Sequence, residues 1–306
     1  RTLMVAVLRT EGLTKTFGAL MAVKALDLEV QEGDIFGFLG LNGAGKTTTL
    51  RMVLRLIRPD MGRVHLFGKD TEDSFLDSFA RIGALVESPS LYPYLTGRKN
   101  LELLGRLSGG VDAARVQWVL EEVGLAARAD SRVRTYSQGM RQRLGIAQAL
   151  VHRPKLVFLD EPTNGLDPHG ITDMRKLIGR LAKEEGITFV ISSHLLYEVE
   201  LICNRIAVLR EGGLAVQGEV TRLLAEAGGR VRLVARPAEV AKRVLLQRGF
   251  STLVEGDDGA FEFEGGRDGL GALNAALVAA GAEVSELAPR ALSLEEYFVR
   301  LHRTEA

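Results

Sequence analysis

Gly40-Leu41-Asn42-Gly43-Ala44-Gly45-Lys46-Thr47 decides the fold. The eight residues fit G-x-x-x-x-G-K-[ST], with a β-rich apolar run, Ile35 to Leu39, before them and an apolar helix expected to begin near Thr48. Glycines let the backbone curl so that several N–H groups point inward, and the following helix adds the partial positive charge of its N-terminus. Lys46 supplies a mobile cation for outer phosphates, and the Thr47 hydroxyl can ligate Mg²⁺. Residues 40–48 are therefore expected to cradle the phosphates of a nucleoside triphosphate.

The second informative run is Leu156-Val157-Phe158-Leu159-Asp160-Glu161-Pro162. It reads as an apolar strand ending in two adjacent acids. Such a pair is costly at a buried strand end unless a cation or a reaction uses it. Asp160 is placed to hold Mg²⁺, directly or through water, and Glu161 to polarise an attacking water. The plainer alternative is that both acids cap the next element.

Further runs, Ile187 to Ile191 and Ile206 to Leu209, alternate with helical stretches, which predicts an α/β core with parallel strands. From Thr96 to Ala149 the apolar residues follow a helical period, as in a mostly helical insert. After about Gln217 the composition shifts, and Ala227 to Arg230 reads as a linker. The remainder orders as strand 231–236, helix 237–247, strand 250–254, a Gly256-Asp257-Asp258-Gly259 turn, strand 260–264, helix 270–280 and strand 282–287. That βαββαβ order predicts a ferredoxin-like plait, and a capping box of Ser293 with Glu296 starts a final helix.

Bulk properties narrow the classes. With 306 residues, 46% of them apolar, the chain has room for one large and one small domain. Basic and acidic residues number 39 each, so no net field draws it to nucleic acid or an anionic membrane. The single cysteine, Cys203, sits among apolar residues and suits a buried, inert thiol in a reducing compartment. No run approaches the roughly 18 apolar residues of a membrane span. The chain begins with Arg1 rather than methionine, as one trimmed upstream would. Its apolar start lacks a cleavage-site pattern and is expected to be a first strand.

Three more runs bring a family into view. Tyr136-Ser137-Gln138-Gly139-Met140 precedes an apolar helix; Asn164-Gly165-Leu166-Asp167 follows the acids; Ser192-Ser193-His194 follows the strand 187–191. With the phosphate loop and the acidic strand, these resemble the ordered motifs of the ABC-transporter nucleotide-binding domain, from about Val7 to Leu224. The resemblance implies a RecA-like P-loop core with an antiparallel β subdomain and a helical subdomain at about 88–150. Residues 1–224 would form this domain, while 228–306, the ferredoxin-like plait read from the element order, is expected to be an accessory domain for regulation or dimer support. It implies ATP and Mg²⁺, hydrolysis assisted by Glu161 and a His194 contact to the γ-phosphate. Phe17, in Leu13-Thr14-Lys15-Thr16-Phe17-Gly18, would stack on adenine. Ser137 and Gly139 would meet ATP held by a second copy, in a homodimer or paired ATPase whose sites Asp167 links.

Two departures from the family pattern carry information. Glu87 stands where glutamine is usual, and Gln138 replaces a signature glycine. Glu87 is expected to add negative charge near the phosphates, slowing hydrolysis or altering Mg²⁺ coupling. The combination, with the C-terminal extension, resembles bacterial exporters of the bacitracin, lantibiotic and multidrug-resistance branch. On that resemblance the chain works at the cytoplasmic face of the membrane as a peripheral ATPase. A separate permease docks near residues 87–100, where Leu91, Tyr92 and Tyr94 are expected to be exposed, and cargo is a drug, peptide antibiotic or lipid-like molecule. The alternative is a non-transport ABC ATPase of translation or repair, which usually carries two such domains or long inserts.

Overall fold

The computed structural model describes residues 6–250, 254–255, 260–265, 269–290 and 292–303. They divide into two compact units, residues 1–218 and 219–306.

In the first unit, β1 (Ala6–Phe17) pairs antiparallel with β2 (Leu20–Leu26), β3 (Glu29–Gln31) and later β5 (Met61–Leu66), and β6 (Lys69–Asp70) extends that sheet beyond β5. Between them lie β4 (Ile35–Leu39) and α1 (Lys46–Val53), so the expected strand–loop–helix around the phosphate loop is present. After the short α2 (Phe75–Phe79) and β7 (Ile82–Leu85) come the helices α3 (Gly97–Leu107), α4 (Ala113–Glu122) and α5 (Gln138–Leu150). They are followed by β8 (Leu156–Asp160), α6 (Pro168–Glu185), β9 (Thr188–Ser193), α7 (Leu196–Ile202), β10 (Arg205–Arg210) and β11 (Gly213–Glu219). The central sheet has the order β11-β10-β4-β9-β8-β7, and the pairs from β10 to β7 are parallel.

Why these apolar runs are central strands is visible in their alternation. Along β8 every residue is buried, and successive side chains face opposite sides. Leu156 and Phe158 join a core with α1 and the antiparallel sheet, whereas Val157 and Leu159 join a core with the helices α4, α5 and α6. The phosphate loop leaves the C-terminal edge of this sheet, the usual ligand-binding edge of α/β folds.

α5 is fixed tightly. A Cβ on Gly83 of β7 would stand 2.0 Å from the Ala149 carbonyl oxygen, so helix and strand meet backbone to backbone. At the same C-terminal end, buried Arg115 of α4 donates to the Leu150 carbonyl at 2.7 Å and the Val151 carbonyl at 3.3 Å, satisfying terminal carbonyls. Its guanidinium lies 3.9 Å from the Trp118 ring centroid.

The second unit runs α8 (Val220–Glu226), β12 (Arg230–Arg236), α9 (Ala238–Gln247), β13 (Val254–Glu255), β14 (Phe261–Glu264), α10 (Leu270–Ala279), β15 (Glu283–Arg290) and α11 (Leu294–Arg303). The sheet order β13-β14-β12-β15, antiparallel throughout, is that of a ferredoxin-like plait. Ser293 and Glu296 form the expected reciprocal cap. The division falls at Gly218–Glu219, so residues 219–224, read from sequence with the first domain, belong to the second unit, where α8 packs on α11. Arg230 lies in β12, which leaves only residues 227–229 of the expected linker. The expected 256–259 turn, much of the strand 250–254 and the first five residues lie outside the described residues.

Candidate active site

The phosphate loop is set by close approaches. Gly45 has φ 101°, and a Cβ there would lie 2.5 Å from the Ala22 carbonyl oxygen of β2, so only glycine fits. This contact brings the β1–β2 hairpin beside the loop. At its tip Phe17 is 50% exposed, with the Lys15 ammonium 5.6 Å from the ring centroid. Leu41, Asn42 and Gly43 are exposed, Ala44 and Gly45 are buried, and Thr48 is half-buried at the helix start.

Lys46 is buried, and its ammonium donates to the Gly40 carbonyl at 2.7 Å and the Leu41 carbonyl at 3.4 Å. Burial pulls its pKa below the usual lysine value, against the opposing pull of Glu161 and Asp160. Glu161 Oε1 stands 4.0 Å away. Thr47 Oγ1 donates to Asp160 Oδ2 at 3.1 Å, so hydroxyl and carboxylate converge from α1 and β8. His194 Nδ1 lies 2.7 Å from Glu161 Oε2; against an ionised carboxylate this nitrogen carries the proton. The structure thus brings Lys46, Thr47, Asp160, Glu161 and His194 into one cluster.

Ser137, Gly139 and Asp167 are elsewhere. Ser137 caps α5, its Oγ accepting from Met140 N at 3.2 Å, and Asp167 caps α6, its Oδ1 accepting from Gly170 N at 2.8 Å. Among the described residues no hydrogen bond or ion pair joins them to the lysine cluster. The two caps are neighbours, because Gln138 rests its amide against Gly165 and Gly139 leaves room for Leu166. The exposed carboxylate of Glu87 pairs with Arg51 of α1, and the backbone there has φ 64°. Leu91, expected to be exposed, is half-buried against the core of the helical subdomain, while Tyr92 and Tyr94 are 57% and 76% exposed.

Sequence reasoning missed two residues here. Arg51 had no motif to mark it. Ser192 stood inside a quoted run, but its place beside both acids comes from the parallel register that sets it across from Asp160.

Phosphate loop, paired acids at the end of a parallel strand and a polar group on the adjacent strand define a P-loop nucleoside triphosphatase. Residues 23–164 match the family described as ABC transporter. The bacitracin transport ATP-binding protein BcrA of Bacillus licheniformis is 40% identical over 308 residues, covering 97% of this chain and 98% of that protein. The daunorubicin resistance ATP-binding protein DrrA3 of Streptomyces coeruleorubidus is 37% identical, covering 95% and 94%. A solved dimeric post-hydrolysis state of the ATP-binding cassette MJ0796, bound to ADP and Pi, superposes with a TM-score of 0.64 at 25% identity, covering 70% of this chain and 98% of that one.

The chain belongs to the ABC transporter ATP-binding proteins. It is the ATP-binding and ATP-hydrolysing subunit of a transporter that works with a separate permease. ATP is its substrate, with Mg²⁺. The donor set fits that ion. Thr47 and Asp160 offer two hard oxygens, and Mg²⁺ takes few protein ligands because it keeps waters and phosphate oxygens. The translation or repair alternative falls away, since the relatives named here match both units and are transport and resistance proteins.

Proposed function

We propose that this subunit powers export of a drug, peptide antibiotic or lipid-like molecule. The observation that carries the reading is the near-full-length likeness to bacitracin and daunorubicin proteins, which spans both the nucleotide-binding unit and the ferredoxin-like unit. Co-expression with its permease in a sensitive host is expected to raise tolerance to at least one such compound. Unchanged tolerance across bacitracin, daunorubicin and lantibiotics would sink the export reading.

In the proposed cycle residues 40–48 wrap the phosphates, Lys46 meets the outer ones, and Phe17 stacks on adenine. Thr47 and Asp160 hold Mg²⁺, which when bound neutralises charge developing on the phosphates. Glu161 accepts a proton from water as the new P–O bond forms and the bond to ADP breaks; His194 orients Glu161 and reaches the γ-phosphate. Ser137 and Gly139, at the positive end of α5, meet ATP held by a second copy, and Asp167 lies at that junction. Glu87, balanced by Arg51, senses the same site. The permease docks near residues 87–100, where Tyr92 and Tyr94 are exposed, and this sets the subunit at the cytoplasmic face of the membrane. Glu161→Gln is expected to cut turnover at least about 100-fold, the usual worth of a general base. With ATP that variant is expected to double in mass by light scattering; a monomer at micromolar protein overturns the paired-site reading.

A further inference from the structure

Ser192 is fully buried at the end of β9, directly across the parallel pairing from Asp160. Its hydroxyl donates to Asp160 Oδ1 and accepts the Glu161 backbone N–H at 3.0 Å. The Ser192 carbonyl accepts from the same N–H at 3.2 Å. One side chain therefore serves both acids, using its proton on one and a lone pair on the other.

The consequences differ for the two acids. A carboxylate turns readily about its last torsion, which is broad and two-fold. With Oδ1 engaged by Ser192, Oδ2 is the oxygen left facing Thr47. Glu161 adopts φ 48°, a left-handed conformation that a side chain of its size keeps only where neighbours over-determine it. Its N–H is held by Ser192, and its carboxylate by His194 two residues further along the same strand end. We infer that Ser192 is a positioning residue for the hydrolytic site, holding Asp160 Oδ2 toward the metal position and fixing the backbone from which Glu161 reaches water. The inference rests on the roles proposed for Asp160 and Glu161.

A buried serine that merely satisfies its neighbours would cost stability on removal but would not single out the metal. Ser193 provides the matched comparison. It is 2% exposed, and its Oγ accepts from Leu195 N at 3.0 Å, with no hydrogen bond to either acid among the described residues. The test uses full-length protein and two readouts: kcat for ATP, and Mn²⁺ affinity in the presence of saturating ADP by electron paramagnetic resonance. Ser192→Ala is expected to weaken Mn²⁺ binding and lower kcat by about 10-fold each, the effect typical of residues that orient a metal ligand. Ser193→Ala is expected to leave both within about twofold, and Ser192→Thr, which keeps the hydroxyl, to recover most of each loss. Should Ser192→Ala not fold, Ser192→Cys, a similar shape with a poor donor, is read in its place with the same expectation. Equal effects at positions 192 and 193, or wild-type Mn²⁺ affinity without Ser192, overturn the inference. Asp160→Asn separates the two levels. If it binds Mn²⁺ as wild type does, the metal role of Asp160 falls; if it weakens binding while Ser192→Ala does not, only the Ser192 inference falls.

Discussion

Arg51 changes what Glu87 means. A carboxylate facing ATP phosphates would repel them if unbalanced; that of Glu87 is paired with the Arg51 guanidinium of α1. The pair is 39% and 60% exposed, so its coupling is expected to be modest, about 0.5–1 kcal/mol, or a two- to fivefold effect. Arg51→Gln is accordingly expected to lower kcat by that factor in the wild type and to do little in a Glu87→Gln background. Equal losses in both backgrounds in steady-state assays would show that the pair does not matter. At this scale the phosphate loop, the acids and His194 were legible, because each sits in a contiguous run with its own chemistry. Arg51 with Glu87, and Ser192 with Asp160, were not. Their partners lie 36 and 32 residues apart, joined by strand register and helix placement that no local pattern encodes.

Helix α5 carries the candidate signature cap at one end and is immobilised at the other by Arg115, with β7 flush beneath it. The contact at Gly83 leaves no space for a methyl group, since the opposing atom is backbone and cannot rotate away. Gly83→Ala is expected to destabilise the fold by about 2–3 kcal/mol and to displace α5. Gly179, on α6 with nothing within 4 Å of its missing Cβ, makes the opposite case; Gly179→Ala is expected to stabilise by about 0.5–1 kcal/mol. Chemical denaturation read by the single tryptophan, Trp118, checks both, and similar values for the two variants would refute the close-packing account. The elements themselves were readable from apolar runs and helical period. What periodicity could not supply was which helix lies so close to which strand that glycine becomes obligatory.

For the molecule as a whole, each unit has its own apolar core, and that of the second runs from Val231 to Ala282. The second unit also carries an ionic cap. Burial raises the pKa of Glu296, but hydrogen bonds from Ser293 and the nearby Arg290 and Arg230 outweigh it and hold it below the ordinary value of 4.5. A depressed carboxylate stabilises fully above that ordinary value and loses its contribution as pH falls through the folded-state value. Glu296→Gln is expected to cost about 0.5–1 kcal/mol at neutral pH, seen as faster amide exchange in β12 and β15. The gap should close in acid; a gap unchanged in acid would exclude the ionic origin. The plait was legible because its elements are short, regular and sequential, whereas the exact division was not, since α8 reads like any amphipathic helix until its partner is known. The whole molecule also has one thiol, and Cys203 is buried on Gly37 and Val199 with its pKa pushed far up by desolvation. In the folded state it is expected to resist alkylating reagents and to react only after denaturation. Labelling of the native protein by a maleimide would refute this. A cysteine placed at Tyr94 would then be the sole reactive handle, so spin labels or fluorophores could report distances between two copies without first replacing the native residue.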